Sequence, residues 1–223
     1  MKKSTLAVIL TAVLCCGMMA LVDGVLMPGY AVKSIIKLIL FLLCPFLLSK
    51  ADGSIHALEA FRLQKQGLHK PLLLGIGLYA LILCAYFLVR GVFDFSAVAG
   101  SLTESAGVTK DNFLFVAVYI SFVNSLLEEF FFRGFLFGNL KALHSRRFAY
   151  LFSSVVFALY HVAMMLGWFS LPLFLLCMAG LTAGGMIFNW LNEKQGNLYA
   201  SWFVHMFANF AINTIGFMLL QSR

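Results

Sequence analysis

The sequence predicts an all-α protein, a polytopic bundle of about seven transmembrane helices that forms a single domain over residues 1–223. Of its 223 residues, 62% are hydrophobic and only 11% are charged, whereas a soluble domain carries about 25% charged residues. Apolar stretches recur that are long enough to cross a bilayer, which needs roughly 20 residues per helix. The net charge of +7 is better explained by loop residues that set membrane topology than by binding to nucleic acid.

Seven stretches of the chain are predicted to span the membrane. The first resembles a signal peptide because it follows Lys2 and Lys3, but no small-residue cleavage site follows Leu21. We therefore interpret it as an uncleaved helix. The predicted spans, in order, are residues 5–26, 32–49, 71–90, 112–140, 148–167, 170–191 and 197–220. The first three belong to an N-terminal part, residues 1–110, and the last four to a core, residues 111–220.

Residues 50–70 form the longest polar segment between the predicted spans. Ile55, Leu58 and Phe61 have helical spacing among basic residues, which is typical of an amphipathic helix that lies on a membrane surface. An ordinary basic loop is an equal alternative for this segment.

Small residues in the sixth span predict close helix packing. Gly180, Gly184 and Gly185 stand at a spacing that lets neighbouring backbones approach. We assign these glycines to packing and expect no chemical role for them.

The basic residues divide unequally between the two sides of the predicted bundle. One side carries Lys2, Lys3, Lys50, Arg62, Lys65, Lys70, Lys141, Arg146, Arg147 and Lys194. The other side carries Lys33, Lys37, Arg90, Lys110 and Arg223. Because cytoplasmic loops carry the excess of Lys and Arg, the chain is predicted to be a multi-pass cell-membrane protein with a cytoplasmic N-terminus and an external C-terminus.

Charged residues interrupt the fourth span. Each costs roughly 2.5–3.5 kcal/mol at the centre of a transmembrane helix, and such residues mark functional sites in membrane proteins. Glu129 and Arg133 are four residues apart on one helix face, so they are predicted to form an ion pair. Glu128 is rotated about 100° from Glu129 and shares its face with Asn124. Glu128 is therefore predicted to be the carboxylate that is left free for chemistry.

Polar residues at four-residue spacing also occur in the fifth and seventh spans. His161 follows Phe157 in the fifth span, and His205, Asn209 and Asn213 form a stripe in the seventh. Such a stripe faces protein or a water-filled cavity rather than lipid, although hydrogen bonding between helices is the alternative role for these residues. The polar groups of the three spans fall at similar depth, which predicts one site in the bundle core that faces the cytoplasm.

These residues resemble the motif series of a known family of membrane proteins, the CPBP (Abi) family, which includes the CAAX prenyl endopeptidases and bacteriocin-processing intramembrane proteases. The resemblance covers roughly residues 111–212. It is carried by Glu128-Glu129-x-x-x-Arg133, then Phe157-x-x-x-His161, then His205-x-x-x-Asn209.

The resemblance implies an intramembrane endopeptidase that hydrolyses a peptide bond in a membrane-associated peptide or protein. It implies that Glu128 activates the attacking water with help from His161, and that His205 and Asn209 form the oxyanion hole. It further implies that Glu129 and Arg133 are structural or help to position substrate. The expected partners are the lipid bilayer and a peptide or membrane-protein substrate, with no nucleic acid.

Several alternatives remain open from the sequence. Glu128, His161 and His205 are also a possible His2Glu zinc set with an open water position, although the family resemblance implies a metal-free mechanism without a cofactor. A non-enzymatic membrane protein, such as a bacteriocin-immunity or maturation partner, is the alternative function. A proton-coupled transporter is a further alternative, and against it no inverted repeat is visible.

Overall fold

The protein is a bundle of membrane-spanning helices in the computed structural model, which describes residues 2–61, 69–98, 100 and 108–221. Within these ranges the chain contains no strand. Seven helices are long and apolar enough to cross a membrane, which confirms the prediction of an all-α, multi-pass membrane protein. They are α1 Lys3–Leu26, α2 Tyr30–Ala51, α3 His69–Val89, α4 Phe113–Leu143, α5 Arg146–Met165, α6 Leu171–Gln195 and α7 Tyr199–Gln221. Each predicted span corresponds to one helix.

Three of the seven helices contain π-helical turns. They occur at Val22–Leu26 in α1, Ile39–Leu43 in α2, and Ile120–Asn124 and Phe130–Phe137 in α4. The two in α4 flank the α-helical residues Ser125–Glu129. A π turn displaces backbone groups from their usual i−4 partners and is frequent at functional sites. Residues Ser125–Glu129 are thus held between two irregular turns of one long helix.

The centre of the bundle is filled by aromatic rings, mainly from the second π-helical segment of α4. Phe130, Phe131 and Phe132 are completely buried. Phe41 of α2 stacks on Phe131 with ring centroids 4.0 Å apart, and Phe157 of α5 contacts Phe132 edge to face at 5.2 Å. These ring contacts join α2, α4 and α5 around the charged residues of α4.

Two glycines mark close approaches between helices. A Cβ at Gly185 of α6 would lie 3.0 Å from the Cα of Ser154 in α5, and a Cβ at Gly75 of α3 would lie 2.6 Å from the ring of Phe207 in α7. The packing role predicted for the sixth span is therefore confirmed at Gly185. It is wrong for Gly180 and Gly184, because a Cβ at either position meets nothing within 4 Å.

Residues 52–61, here called the 52–61 segment, lie against the ends of three helices. Ser4 of α1 donates to Asp52 at 2.6 Å, and hydrogen bonds from Ser4 and Ser54 hold the pKa of Asp52 below its usual range. Asn139 of α4 accepts from the backbone N–H of His56 and donates to its carbonyl. At the other end of the segment, the Tyr199 hydroxyl of α7 donates to the Phe61 carbonyl.

The predicted amphipathic surface helix is not found in the described part of this segment. Only a short 3-10 turn forms, at Leu58–Phe61. Ile55 is buried and Phe61 stacks on Phe130 with ring centroids 5.0 Å apart, so these two residues pack onto protein, whereas Leu58 is half exposed. Residues 62–68 lie outside the described ranges.

Candidate active site

Glu128 lies at the centre of the polar residues, with its side chain only 2% exposed. Its Oε1 atom has two partners: Lys37 Nζ at 2.5 Å and Asn124 Nδ2 at 2.9 Å. The shared face predicted for Asn124 and Glu128 is confirmed by this hydrogen bond. The prediction that Glu128 is left free is wrong, because a buried ammonium from another helix pairs with it.

The sequence analysis placed Lys37 among the residues on the external side and gave it no role. In the structure it lies inside α2 and is 5% exposed. Its ammonium also donates to Asn124 Oδ1 at 2.5 Å and lies over the ring of Tyr160 at 4.9 Å. One signal in the sequence points to it: Lys33 and Lys37 stand four residues apart inside an apolar stretch that was predicted to span the membrane.

Two histidines face the other oxygen of the Glu128 carboxylate. The Nε2 atom of His161 lies 3.9 Å from Glu128 Oε2, and the Nε2 atom of His205 lies 3.6 Å from the same oxygen. Helices α4, α5 and α7 each supply one of these three residues, which are called here the carboxylate–histidine cluster. Three motifs that are far apart in sequence thus meet at one carboxylate oxygen.

The Nδ1 atoms of both histidines are engaged away from Glu128. His161 Nδ1 lies 2.8 Å from the Phe157 carbonyl oxygen. Since a carbonyl only accepts, Nδ1 carries the hydrogen, and Nε2 of a neutral His161 is an acceptor. Phe157 also contacts the His161 ring at 4.8 Å, so its backbone and its side chain both orient the imidazole.

Glu129 connects His205 to Arg133. His205 Nδ1 lies 2.9 Å from Glu129 Oε1, and Arg133 Nη1 lies 3.3 Å from the same oxygen. The predicted Glu129–Arg133 ion pair is confirmed. Both side chains are fully buried, and the guanidinium lies over the rings of Phe157 and Phe188 at 4.2 and 4.9 Å. Contacts of this kind stabilise a buried cation through the ring quadrupole.

The polar stripe of α7 binds backbone carbonyls of α4. Asn209 donates to the Ile120 carbonyl at 3.2 Å, and Asn213 donates to the Ala117 carbonyl at 3.3 Å. Trp202 donates to the Phe122 carbonyl at 3.1 Å. The carbonyls of Ile120 and Phe122 belong to the first π-helical turn of α4, and Ala117 lies three residues before it. One Asn209 N–H is therefore engaged with the backbone of α4 and not with Glu128.

A zinc ion fits these residues poorly. With bonds of 2.0–2.1 Å, adjacent ligand atoms of a tetrahedral site are about 3.3 Å apart, and the two histidine-to-carboxylate distances of 3.9 and 3.6 Å are longer. The Lys37 ammonium already neutralises the Glu128 carboxylate. Among the described residues, no group of three or more His, Cys, Asp or Glu side chains is arranged to hold a metal ion.

Comparison with known proteins identifies the C-terminal part of the chain. Residues 110–211 match the family model for type II CAAX prenyl endopeptidases, Rce1-like. No curated protein and no solved structure matches the chain. The matched region contains all three members of the carboxylate–histidine cluster, whereas Lys37 lies outside it. A family of this description implies a protease. Over residues 110–211 the chain is therefore similar to the CAAX-protease-like (CPBP) family.

Proposed function

We propose that this protein is an intramembrane endopeptidase that hydrolyses a peptide bond in a membrane-associated peptide or protein. One observation carries the proposal: a buried carboxylate oxygen of Glu128 faces the Nε2 atoms of His161 and His205 at 3.9 and 3.6 Å. Amide hydrolysis needs an activated water and donors that stabilise the developing oxyanion. The three side chains together offer both.

Glu128 and His161 are the proposed water-activating pair. A water about 2.8 Å from both Glu128 Oε2 and His161 Nε2 has acceptors for its two hydrogens, since Nε2 is the acceptor of a neutral His161. Its lone pairs are then directed toward a substrate carbonyl. Glu128 removes a proton as the water oxygen bonds to the carbonyl carbon. The same proton passes to the leaving amine when the C–N bond breaks, which regenerates the carboxylate.

His205 is proposed to stabilise the oxyanion through its Nε2 atom, which lies 3.6 Å from Glu128 Oε2. Its Nδ1 atom lies 2.9 Å from Glu129 Oε1, and this contact orients the ring. Asn209 is proposed as the second donor, through the N–H that is not bonded to Ile120.

The proposed mechanism uses no metal ion. The poor fit of zinc to the carboxylate–histidine cluster and the position of Lys37 beside Glu128 support this proposal. We expect purified active protein to contain less than stoichiometric zinc and to keep its cleavage rate after treatment with a chelator. Stoichiometric zinc whose removal abolishes cleavage, with recovery on adding it back, would contradict the metal-free mechanism.

The decisive experiment compares the wild-type chain with Glu128→Gln. Membranes of cells that express each form are searched by mass spectrometry for new peptide N-termini. The isosteric amide removes the base, so we expect wild-type-specific cleavage sites to disappear, a loss of roughly 10²–10⁴-fold in rate. Glu59→Gln, a change at an exposed carboxylate, is the matched control and should keep them. The proposal would be contradicted if membranes with the wild type, Glu128→Gln and Glu59→Gln all contained the same set of peptide N-termini.

A non-enzymatic membrane protein on this scaffold is the second candidate function. One observation favours it: Asn209, Asn213 and Trp202 all bond to backbone carbonyls of α4, as expected if the polar stripe only joins helices. This function predicts that the biological effect survives Glu128→Gln. The same comparison of variants therefore decides between the two candidates.

A further inference from the structure

Lys37 comes from α2, outside the residues that match the protease family, yet it contacts the proposed base. Its Nζ atom is 2.5 Å from Glu128 Oε1 and 2.5 Å from Asn124 Oδ1, and Asn124 donates to the same Oε1. The ammonium, the amide and one carboxylate oxygen thus form a closed triangle. The Glu128 carboxylate has little rotational freedom in this arrangement, so its second oxygen stays directed at the histidines.

Lys37 also supplies a cation in direct contact with Glu128. Glu128 and Glu129 are both buried carboxylates, and the guanidinium of Arg133 lies 3.3 Å from Glu129. An ionised carboxylate that is buried without a cation beside it is costly. The Lys37 ammonium, with 6% of its side chain exposed, lies 2.5 Å from Glu128 and lowers this cost.

We propose that Lys37 is a positioning residue of the catalytic machinery: it keeps Glu128 ionised and fixes Oε1, so that Oε2 is presented to the water between His161 and His205. This inference rests on the proposed function. It assigns a role in the reaction to the N-terminal part of the chain, because the cation that completes the site is supplied by α2.

The test compares Lys37→Gln, Lys37→Arg, Lys33→Gln and Glu128→Gln. Initial rates are measured in membranes at the most abundant cleavage site that requires Glu128. We expect Lys37→Gln to lower this rate by about 10²-fold or more and Lys37→Arg to restore much of it, since only Arg keeps the charge. Lys33→Gln is the matched control: Lys33 lies on the same helix as Lys37 but pairs with Asp23 of α1, and this variant should keep the wild-type rate.

Thermal unfolding in detergent supplies a readout that does not depend on activity. Lys37→Gln leaves the Glu128 carboxylate buried without its cation, so we expect Tm to fall by about 5 °C or more. The same change made in the Glu128→Gln background should leave Tm nearly unchanged, because the charge is already absent. Equal losses of Tm in both backgrounds would overturn the proposal, since Lys37 would then act independently of Glu128.

The outcomes separate this inference from the proposed function. If Glu128→Gln is inactive but Lys37→Gln has the wild-type rate, the role of Lys37 is overturned and the protease stands. If Glu128→Gln is fully active, both proposals fail. Lys37→Gln could fail to fold while the double variant Lys37→Gln/Glu128→Gln folds. In that case the cleavage rate of Lys37→Arg is compared with that of the wild type. A folded but inactive Lys37→Arg overturns the role of Lys37.

Discussion

The two oxygens of the Glu128 carboxylate have different partners, and this division is the main finding at the scale of single residues. Oε1 is bonded to Lys37 and Asn124, whereas Oε2 faces His161 and His205. A carboxylate with one oxygen fixed by a cation and an amide loses less rotational entropy when it binds water than a freely rotating one. Glu128 thus joins α2, α4, α5 and α7 through the contacts of its two oxygens.

Asn209 and Asn213 offer a test of the oxyanion hole with a built-in control. Both donate from α7 to carbonyls of α4, so Asn209→Ala and Asn213→Ala should lower Tm to a similar extent. Only Asn209 is proposed to reach the substrate, and the loss of one oxyanion donor costs on the order of 10²-fold in kcat. We therefore expect a much slower cleavage rate for Asn209→Ala alone. Equal rates in the two variants would show that Asn209 only joins helices.

The spacing of residues along the chain predicted contacts within one helix but not contacts between helices. Residues four apart in α4 gave the Glu129–Arg133 ion pair and the hydrogen bond from Asn124 to Glu128, since both follow from helix geometry alone. Lys37 was missed because its pairing with Glu128 depends on how α2 packs against α4. Lys37 and Glu128 are 91 residues apart in the chain, and no sequence pattern indicates that they are in contact.

At the scale of helices, α4 is irregular where the other helices bind to it. Its first π-helical turn presents the carbonyls of Ile120 and Phe122 to α7. Its second presents the carbonyl of Phe132 to the hydroxyl of Ser153 in α5. In a bilayer no water satisfies such groups, so side chains from neighbouring helices must do so. The polar residues of α5 and α7 are thus explained in part by the backbone of α4.

Gly185 and its neighbour Gly184 test the packing of α6 against α5. Gly185→Ala would bring a methyl group to 3.0 Å from the backbone of Ser154, whereas Gly184→Ala meets nothing within 4 Å. Overpacking of this kind typically costs about 1–3 kcal/mol, so we expect a lower Tm for Gly185→Ala. Gly184→Ala should match the wild type or exceed it slightly, because alanine favours helix. A lower Tm for Gly184→Ala alone would contradict this interpretation of the packing.

At the scale of the whole molecule, the seven-helix architecture followed from apolar length, because a bilayer allows few alternatives to spanning helices. The 52–61 segment was less predictable, since its apolar residues suit either a membrane surface or a protein surface. Only the positions of Asn139 and Phe130 in the folded bundle decide that it packs on protein.

The membrane orientation stays a prediction from the sequence. Lys33 and Lys37 form ion pairs with Asp23 and Glu128, and Lys141 and Arg146 on the other side both pair with Glu193. Leaving out these paired residues does not change the excess of Lys and Arg on the side of the N-terminus, so the positive-inside rule still predicts a cytoplasmic N-terminus.

Reporter fusions to the full chain test this orientation. In a bacterial host we expect alkaline phosphatase at the C-terminus to be active and green fluorescent protein at the same position to be dark. Green fluorescent protein at the N-terminus should be bright. A bright C-terminal fusion would mean that both termini lie in the cytoplasm and that the number of crossings is even.

The 52–61 segment lies across the ends of three helices. Its contacts with Ser4, Asn139 and Tyr199 span the first turn of α1, the last turns of α4 and the first turn of α7. In the proposed protease, a peptide that approaches from that end of the bundle would have to displace the segment and break the two hydrogen bonds between Asn139 and His56. Within the carboxylate–histidine cluster, His161 is the most exposed side chain, at 16% against 2% for Glu128. For the proposed protease, we therefore expect a substrate to approach the carboxylate–histidine cluster from the side of α5.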